Sequence, residues 1–354
     1  MKAVILAGGE GVRLRPLTLN IPKPMVPIFN APFLEIMLAN LKNHGINDVI
    51  MTLCYLPDRI QEYFGNGHSL DMNIEYVLET SPLGTAGAVK NVEAALDSTF
   101  IVLNGDIVTD LDISKMIQFH KEKKAKATIF LREVDNPSSF GVVETDLDGK
   151  VSKFLEKPEP GVTSSNWING GIYILEPDTI NPIPSDTFYM FEKGLFPYLL
   201  ESGQSVYGFR QEPYWIDVGT YSNYIKVNMD ILDENYRHPS DNISSRYGEN
   251  TSISPASKIY GNVRFGDKCK VGSGTTIDGP SIFGNGCSLG DNCTIAGSIF
   301  WESVDIGDNV SITDSVIGNR VSIGYNVVVD SGCIIGDDVV IENSQNIPSG
   351  SILE

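Results

Sequence analysis

AVILAGGEGVRLRPLTLNIPKPMVPI, residues Ala3 to Ile28, decides how this chain is read. Its apolar opening, Ala3 to Leu6, has the pattern of a buried strand. Gly8, Gly9 and Gly11 follow as a turn where backbone can approach a ligand with no Cβ in the way. Arg13, Arg15 and Lys23 come next, in a loop stiffened by Pro16, Pro22, Pro24 and Pro27. Strand, glycine turn and fixed cations in that order make a receptacle for a polyphosphate. The stretch is not the GxxxxGK[ST] phosphate loop, because no Lys-Ser or Lys-Thr follows the glycines, and it is not a GxGxxG. A glycine turn after a first strand also serves as an ordinary tight connection. The two arginines and the proline-flanked lysine are what point to a ligand.

Downstream, helical and strand patterns alternate. Phe33 to Asn43 is helical and stops at His44-Gly45; Asp48 to Leu53 is a short apolar strand; Pro57 to Phe64 is a helix with proline in its first turn. Ile74 to Leu78 is a strand, Gly84 to Leu96 an Ala-rich helix, and Phe100 to Leu103 a strand running into Asn104-Gly105-Asp106. This alternation predicts an α/β fold with a mostly parallel sheet. Ligands of such sheets bind beyond the carboxyl ends of the strands, where the glycine turn and Asp106 both fall. Ala127 to Glu156 is strand-rich, Asn169 to Leu175 is a further strand, Tyr214 to Asp217 leads into another loop, and Thr220 to Asn235 is helical. The expected division is a catalytic domain over residues 1–235, a polar linker over 236–250, and a second domain over 251–354.

In that second domain the period changes. Apolar residues stand at Ile253, Ile259, Phe265, Val271, Ile277, Phe283, Leu289, Ile295 and Trp301, every step being six. One missing residue brings the next to Ile306 and Ile312, and a second to Ile317, Ile323, Val329, Ile335 and Ile341. A hexapeptide repeat marks a β-helix. Cys269, Cys287, Cys293 and Cys333 each fall four residues after an anchor, a slot shared with Thr275, Val310, Val321, Val327 and Val339. They read as small core residues, not as metal ligands or disulfides.

The chain has 354 residues and a formal net charge of −19. Neither domain carries a basic excess, which argues against a nucleic-acid partner. A bound polyphosphate must therefore be neutralised locally, by placed cations and a metal. No apolar stretch reaches membrane length and MKAVILAGG lacks a cleavage-type signal, so the expectation is a cytoplasmic protein without membrane association.

Gly-Gly-x-Gly-x-Arg-Leu-x-Pro-Leu-Thr followed by Pro-Lys-Pro-Met-Val-Pro resembles the signature of the nucleotide-sugar pyrophosphorylases, or sugar-1-phosphate nucleotidyltransferases. The Pro-Lys-Pro version is most similar to mannose-1-phosphate guanylyltransferases. The family has Thr where this chain has Val12. The resemblance covers the whole chain and implies a Rossmann-like nucleotidyltransferase domain followed by a left-handed β-helix, the latter for self-association into a homo-oligomer or for regulation. The reaction it implies is attack of a sugar 1-phosphate on the α-phosphorus of a nucleoside triphosphate, with release of pyrophosphate.

The resemblance also implies roles. Arg13 is assigned to the β- and γ-phosphates and Lys23 to the α-phosphate. Asp106 in LNGDI and Asp217 in WIDVGT match the family's metal pair for Mg2+, although an Asp at a strand end also serves as a turn or a cap. Leu6, Ala7, Gly8, Gly9, Gly11, Glu79, Pro82, Gly84 and Thr85 make the expected nucleotide site. Glu79 can accept from N1–H and the 2-amino group of guanine where thymidylyl- and uridylyltransferases have glutamine, which favours GTP; it equally suits a solvent-facing loop. Gly84 and Thr85 open a helix whose N-terminus is a further ligand contact. Asn104, Gly141 in FGVV, Glu156 and Lys157 in FLEKP, and Asn169 in INGGIY make the expected sugar-phosphate pocket. The expected activity is GDP-mannose formation from GTP and mannose 1-phosphate. The alternatives are a glucose-1-phosphate uridylyl- or thymidylyltransferase, and a catalytically silent regulatory paralogue. Acyl transfer by the β-helix is disfavoured, because the last histidine, His238, precedes the repeat.

Overall fold

Apolar runs without alternation need cover on both faces, and the strands of the first half satisfy this. In the computed structural model, which describes residues 1–159, 161–239 and 246–354, Lys2–Leu6 lies between Phe100–Asn104 and Asp48–Leu53, parallel to both. Asn73–Leu78 continues the parallel set beyond Asp48–Leu53. Trp167–Leu175 joins Phe100–Asn104 antiparallel and also pairs with Ala127–Glu133. The hairpin Gly141–Thr145 and Val151–Glu156, and Val206–Arg210 beside Ala127–Glu133, complete a mixed nine-stranded sheet. The expected parallel core is present, with antiparallel strands added at one side.

The long expected helix over 84–96 is shorter than its pattern. It runs Gly84–Asn91, and Glu93–Ala95 forms a separate 3-10 turn. Two further helices, Ile113–Lys123 and Phe196–Glu201, were not marked by the sequence pattern. Phe196 packs with Tyr173 and Phe191, ring centroids 5.1 and 5.4 Å away, under the sheet face that carries Val4, Val102 and Ile129.

His120 of helix Ile113–Lys123 is buried, with Nδ1 2.8 Å from Thr128 Oγ1 and Nε2 3.3 Å from Glu176 Oε1. Burial holds its pKa below the ordinary value of about 6.5, and Glu176 opposes this only in part. The unfolded chain therefore takes up a proton at His120 before the folded chain does. Stability from this site is intact above pH 6.5 and is lost as pH falls through the lower folded pKa. Melting curves between pH 7.5 and 5 should show a decline that His120→Gln reduces. An identical decline in the variant would place its cause elsewhere.

The second half folds by the hexad. Three six-stranded parallel sheets form, each strand two or three residues long, with successive coils stacked in register. This is the left-handed β-helix architecture, its interior filled by the anchors and by Cys269, Cys287, Cys293 and Cys333. The Cys269, Cys287 and Cys293 thiols donate to Gly284 O, Trp301 O and Gly307 O of the following coil, as the Thr275 hydroxyl does to Gly290 O.

The register differs from the sequence expectation at one anchor. Phe300, not Trp301, pairs with Phe283 and enters the core. The missing residue lies in the corner before Phe300, where Gly297 and Ser298 replace the longer Gly279-Pro280-Ser281. Trp301 points out of the coil, and its Nε1 donates to the Tyr224 hydroxyl at 2.8 Å.

The described residues group into two compact units. One comprises 1–9 and 37–216, the other 10–36 and 217–354. Within the second, Asn30 donates to Phe283 O, Asn228 accepts from Phe29 N, and the Arg264 guanidinium lies 4.5 Å from the Phe29 ring. These contacts attach the proline-rich loop and helix Tyr221–Leu232 to the β-helix. Of the 236–250 segment expected as a linker, 240–245 lie outside the described residues, Tyr236 and His238 are buried, and Tyr247 already bridges Phe265. Among the described residues no helix is long and apolar enough to cross a membrane.

Candidate active site

Parallel strands bring their C-terminal ends to one edge of the sheet, and in the first unit these ends carry the expected residues. Gly105 N donates to Leu6 O at 2.9 Å, and a Cβ on Gly105 would fall 2.3 Å from that oxygen. Only glycine lets the LNGD turn lie against Leu6 and Ala7, which sets Asn104 and Asp106 beside the glycine turn. Asn104 Oδ1 is buried and accepts no hydrogen bond among the described residues, a state that calls for a donor from a ligand.

The neighbouring strand has a bulge between Asn169 and Tyr173. Bulges cluster beside active sites, where they re-aim side chains. Gly171 sits in it at φ +74°, and a Cβ there would meet Ile107 Cδ1 and Asn104 Nδ2. Asn169 Oδ1 accepts from Gly171 N, and its Nδ2 donates to the Tyr173 hydroxyl at 2.8 Å. That hydroxyl reaches Glu192 Oε1 at 3.4 Å, and Thr85 Oγ1 stands 3.3 Å from Glu192 Oε2. Burial raises the Glu192 pKa, and the Glu156 carboxylate adds to the rise. Full burial and the Glu192 charge hold the Tyr173 phenol far above its usual range, with a smaller contribution from Asp106. Asp106, Glu156, Asn169, Tyr173 and Glu192 are thus within electrostatic reach as one polar group in the first unit.

Tyr173 and Glu192 are the two members that the sequence reading missed. Tyr173 had a signal: it lies four residues past Asn169 in the same motif. Glu192 had only its oddity, an acid within the aromatic run FYMFEKGLF.

Gly141 faces Glu156 in the hairpin register, and a Cβ on it would lie 3.0 Å from Glu156 Oε2. Lys157 leaves its strand in the left-handed conformation at φ 48°, its N–H donating to Phe140 O. A non-glycine residue held there costs about 1 kcal/mol or more and marks an imposed direction.

Glu79 is half-buried, and Oε2 accepts from Leu83 N at 3.0 Å. Burial raises its pKa and that hydrogen bond opposes the rise. Oε1 lies 3.8 Å from where a Cβ on Gly8 would stand, at the glycine turn. The carboxylate is neither in free solvent nor fully consumed by its own loop. Pro82 precedes the helix that Gly84 opens. The Ala86 and Gly87 N–H groups of that helix both donate to Tyr189 O at 3.0 Å, and the Thr85 hydroxyl accepts from Phe191 N. Those first amides serve the fold.

In the second unit the cations gather around the other aspartate. Lys23 is buried, and Nζ lies 3.8 Å from Asp217 Oδ1. A Cβ on Gly219 would lie 2.5 Å from Arg13 Nη2 and 2.8 Å from Asp217 Oδ1, so the guanidinium and the carboxylate flank the same glycine. Thr18 Oγ1 donates to Gly11 O at 2.9 Å and closes the loop onto itself. Asn223 Nδ2 holds Asp217 O at 2.7 Å from helix Tyr221–Leu232, whose first turn is capped by Thr220. Arg15 is turned aside to Glu10 Oε2 at 3.1 Å.

The expected residues are therefore divided. The first unit holds Leu6, Ala7, Gly8, Gly9, Glu79, Pro82, Gly84, Thr85, Asn104, Asp106, Gly141, Glu156, Lys157 and Asn169, and the second holds Gly11, Arg13, Lys23 and Asp217. The chain passes from one to the other between Gly9 and Glu10 and again between Ile216 and Asp217, inside the two motifs themselves.

The chain matches a family model described as nucleotidyl transferase over residues 2–234, and one described as the EIF2B subunit epsilon LbH domain over 244–347. It is 40% identical over 232 residues to a mannose-1-phosphate guanylyltransferase of Mycobacterium tuberculosis, a match covering 65% of this chain and 64% of that one. A UTP–glucose-1-phosphate uridylyltransferase of Synechocystis is 37% identical over 272 residues, 73% of this chain and 70% of that one. Among solved structures, HddC of Yersinia pseudotuberculosis complexed with GMP-PN superimposes with a TM-score of 0.57 at 33% identity, over 65% of this chain and 99% of that one.

Proposed function

We propose that this chain, which belongs to the nucleotidyl transferase family, is a mannose-1-phosphate guanylyltransferase, joining GTP and mannose 1-phosphate into GDP-mannose with release of pyrophosphate. The observation that carries the reading is the 40% identity to the Mycobacterium tuberculosis guanylyltransferase. The polar groups of both units support it.

A phosphate oxygen of the sugar 1-phosphate forms a bond to the α-phosphorus of GTP. The bond from that phosphorus to the bridging oxygen breaks, and its electron pair leaves with pyrophosphate. The nucleophile is already an anion, so no general base is needed; catalysis is positioning and charge stabilisation. Lys23 holds the α-phosphate, and Arg13 takes the charge that grows on the leaving pyrophosphate. Lys157 holds the sugar phosphate, while Glu156, Asn169 and Glu192 supply acceptors and donors for sugar hydroxyls. Glu79 pairs with guanine through the carboxylate oxygen that Leu83 does not use.

On this reading the Asp106 and Asp217 carboxylates, hard-oxygen donors of the kind that bind Mg2+, would hold the ion. Bound there, Mg2+ would neutralise triphosphate charge near the α-phosphorus. Self-association through the β-helix and a cytoplasmic location belong to the same reading.

A second reading, UTP with glucose 1-phosphate, is favoured by the Synechocystis relative. Pyrophosphate release across GTP, UTP and dTTP with each sugar phosphate separates the two. GTP with mannose 1-phosphate should be fastest, and Glu79→Gln should reduce kcat/KM for GTP roughly 10- to 100-fold while UTP gains, as expected for one base-reading group. Preference for UTP in the unaltered protein would reject guanine reading by Glu79.

A further inference from the structure

Glycines recur at the corners of the β-helix, and several share one cause. A Cβ on Gly266, Gly272, Gly290 or Gly324 would fall 2.3 to 2.6 Å from an atom of the next coil, and none of the four has left-handed backbone. They are glycine because a further corner stacks on them.

Gly336 occupies the same place in the repeat, one residue past Ile335 as Gly266 is one past Phe265. What crowds it is different. A Cβ there would lie 2.9 Å from Pro16 Cβ and 3.2 Å from Pro16 Cγ, with Leu353 O also at 3.2 Å. Pro16 sits between Arg15 and Leu17 in the loop that carries Arg13. A part of the cation loop takes the position that a stacked corner takes elsewhere.

Contacts around it agree. The Tyr221 hydroxyl donates to Arg15 O, one residue before Pro16. The same phenol is raised above its ordinary range by burial and then by the Glu354 carboxylate, which follows Leu353 directly. Helix Tyr221–Leu232 and the coil of residues 336–353 therefore meet the loop on neighbouring sides, all within the second unit.

We propose that Gly336 is a positioning residue for nucleotidyl transfer: the β-helix is the floor on which the Arg13 loop rests, and the empty side of Gly336 sets how far that loop stands from the triphosphate. This rests on the reading of Arg13 as a phosphate ligand. A side chain at residue 336 must push Pro16, and Arg13 with it, because the coil behind Gly336 is tied down by its hydrogen bond to Leu353 O at 2.8 Å.

The test uses the full chain with Gly336→Ala and Gly336→Val, and with Gly290→Ala as a corner whose crowding is internal to the β-helix. Gly336→Val should raise KM for GTP about 10-fold or more, Gly336→Ala less, because small displacements of a positioning group are costly. KM for mannose 1-phosphate should hold. Gly290→Ala should lower the melting temperature and leave both KM values alone. Calorimetric titration with a non-hydrolysable GTP analogue gives a readout that needs no turnover, and Gly336→Val should weaken it by a similar factor. Equal analogue affinity and equal KM values in Gly336→Val and the unaltered protein would overturn the inference. Absence of both binding and turnover in the unaltered protein would instead defeat the guanylyltransferase reading.

Discussion

Asp106→Asn and Asp217→Asn each lower kcat for pyrophosphate release roughly 10²- to 10³-fold, and the double variant is little worse than either alone. The size follows from the loss of one preorganised charge at the reacting phosphorus. On the guanylyltransferase reading both carboxylates serve one triphosphate, and groups that act as a unit are not independent. Asp217→Asn carries a second effect that Asp106→Asn lacks. Lys23 is buried and stands 3.8 Å from Asp217, so removing the carboxylate charge leaves an ammonium with less compensation. The Asp217 variant should therefore melt lower than the Asp106 variant. Steady-state kinetics with thermal melts checks both parts. Multiplicative losses in the double variant would mean that the two aspartates serve separate steps.

Phe300→Ala destabilises the β-helix by about 3–5 kcal/mol, the range for deleting a fully buried aromatic ring. Its ring stacks on Phe283 at 4.7 Å with planes 4° apart, and Phe283 stacks on Phe265 at 4.9 Å. Removing the Phe300 ring breaks a column. Trp301→Phe costs less, about 1–2 kcal/mol, because it loses chiefly one hydrogen bond to Tyr224, whose hydroxyl keeps its bond to Pro27 O. Denaturant unfolding of the two variants orders them. A larger loss in Trp301→Phe than in Phe300→Ala would contradict the core register.

That register shows what the residue pattern could and could not convey. A step of six is unambiguous, and both shortened corners were visible as breaks in it. The first break was displaced by one residue because Phe300 and Trp301 are both large, aromatic and buried. The small slot four residues after each anchor decides between them. Counting from Phe300 puts Val304 in the slot, and counting from Trp301 puts the exposed Asp305 there.

The glycine turn, Arg13, Lys23 and the two aspartates were conspicuous in the sequence because they lie in short motifs. Glu192 was not, because its place beside Tyr173 and Thr85 depends on three elements far apart in the chain. The grouping of the Arg13 loop with the β-helix was hidden for the same reason. It rests on Asn30 with Phe283, Phe29 with Arg264, and Tyr224 with Trp301, pairs that no periodicity connects.

One label experiment follows the guanylyl group itself. GTP carrying 32P at the α-phosphate is incubated with the protein, Mg2+ and mannose 1-phosphate. The label should move into the nucleotide sugar in step with pyrophosphate release, and none should be found on the protein. Label retained in GDP with release of inorganic phosphate, or bound covalently to the chain, would contradict direct transfer from triphosphate to sugar phosphate.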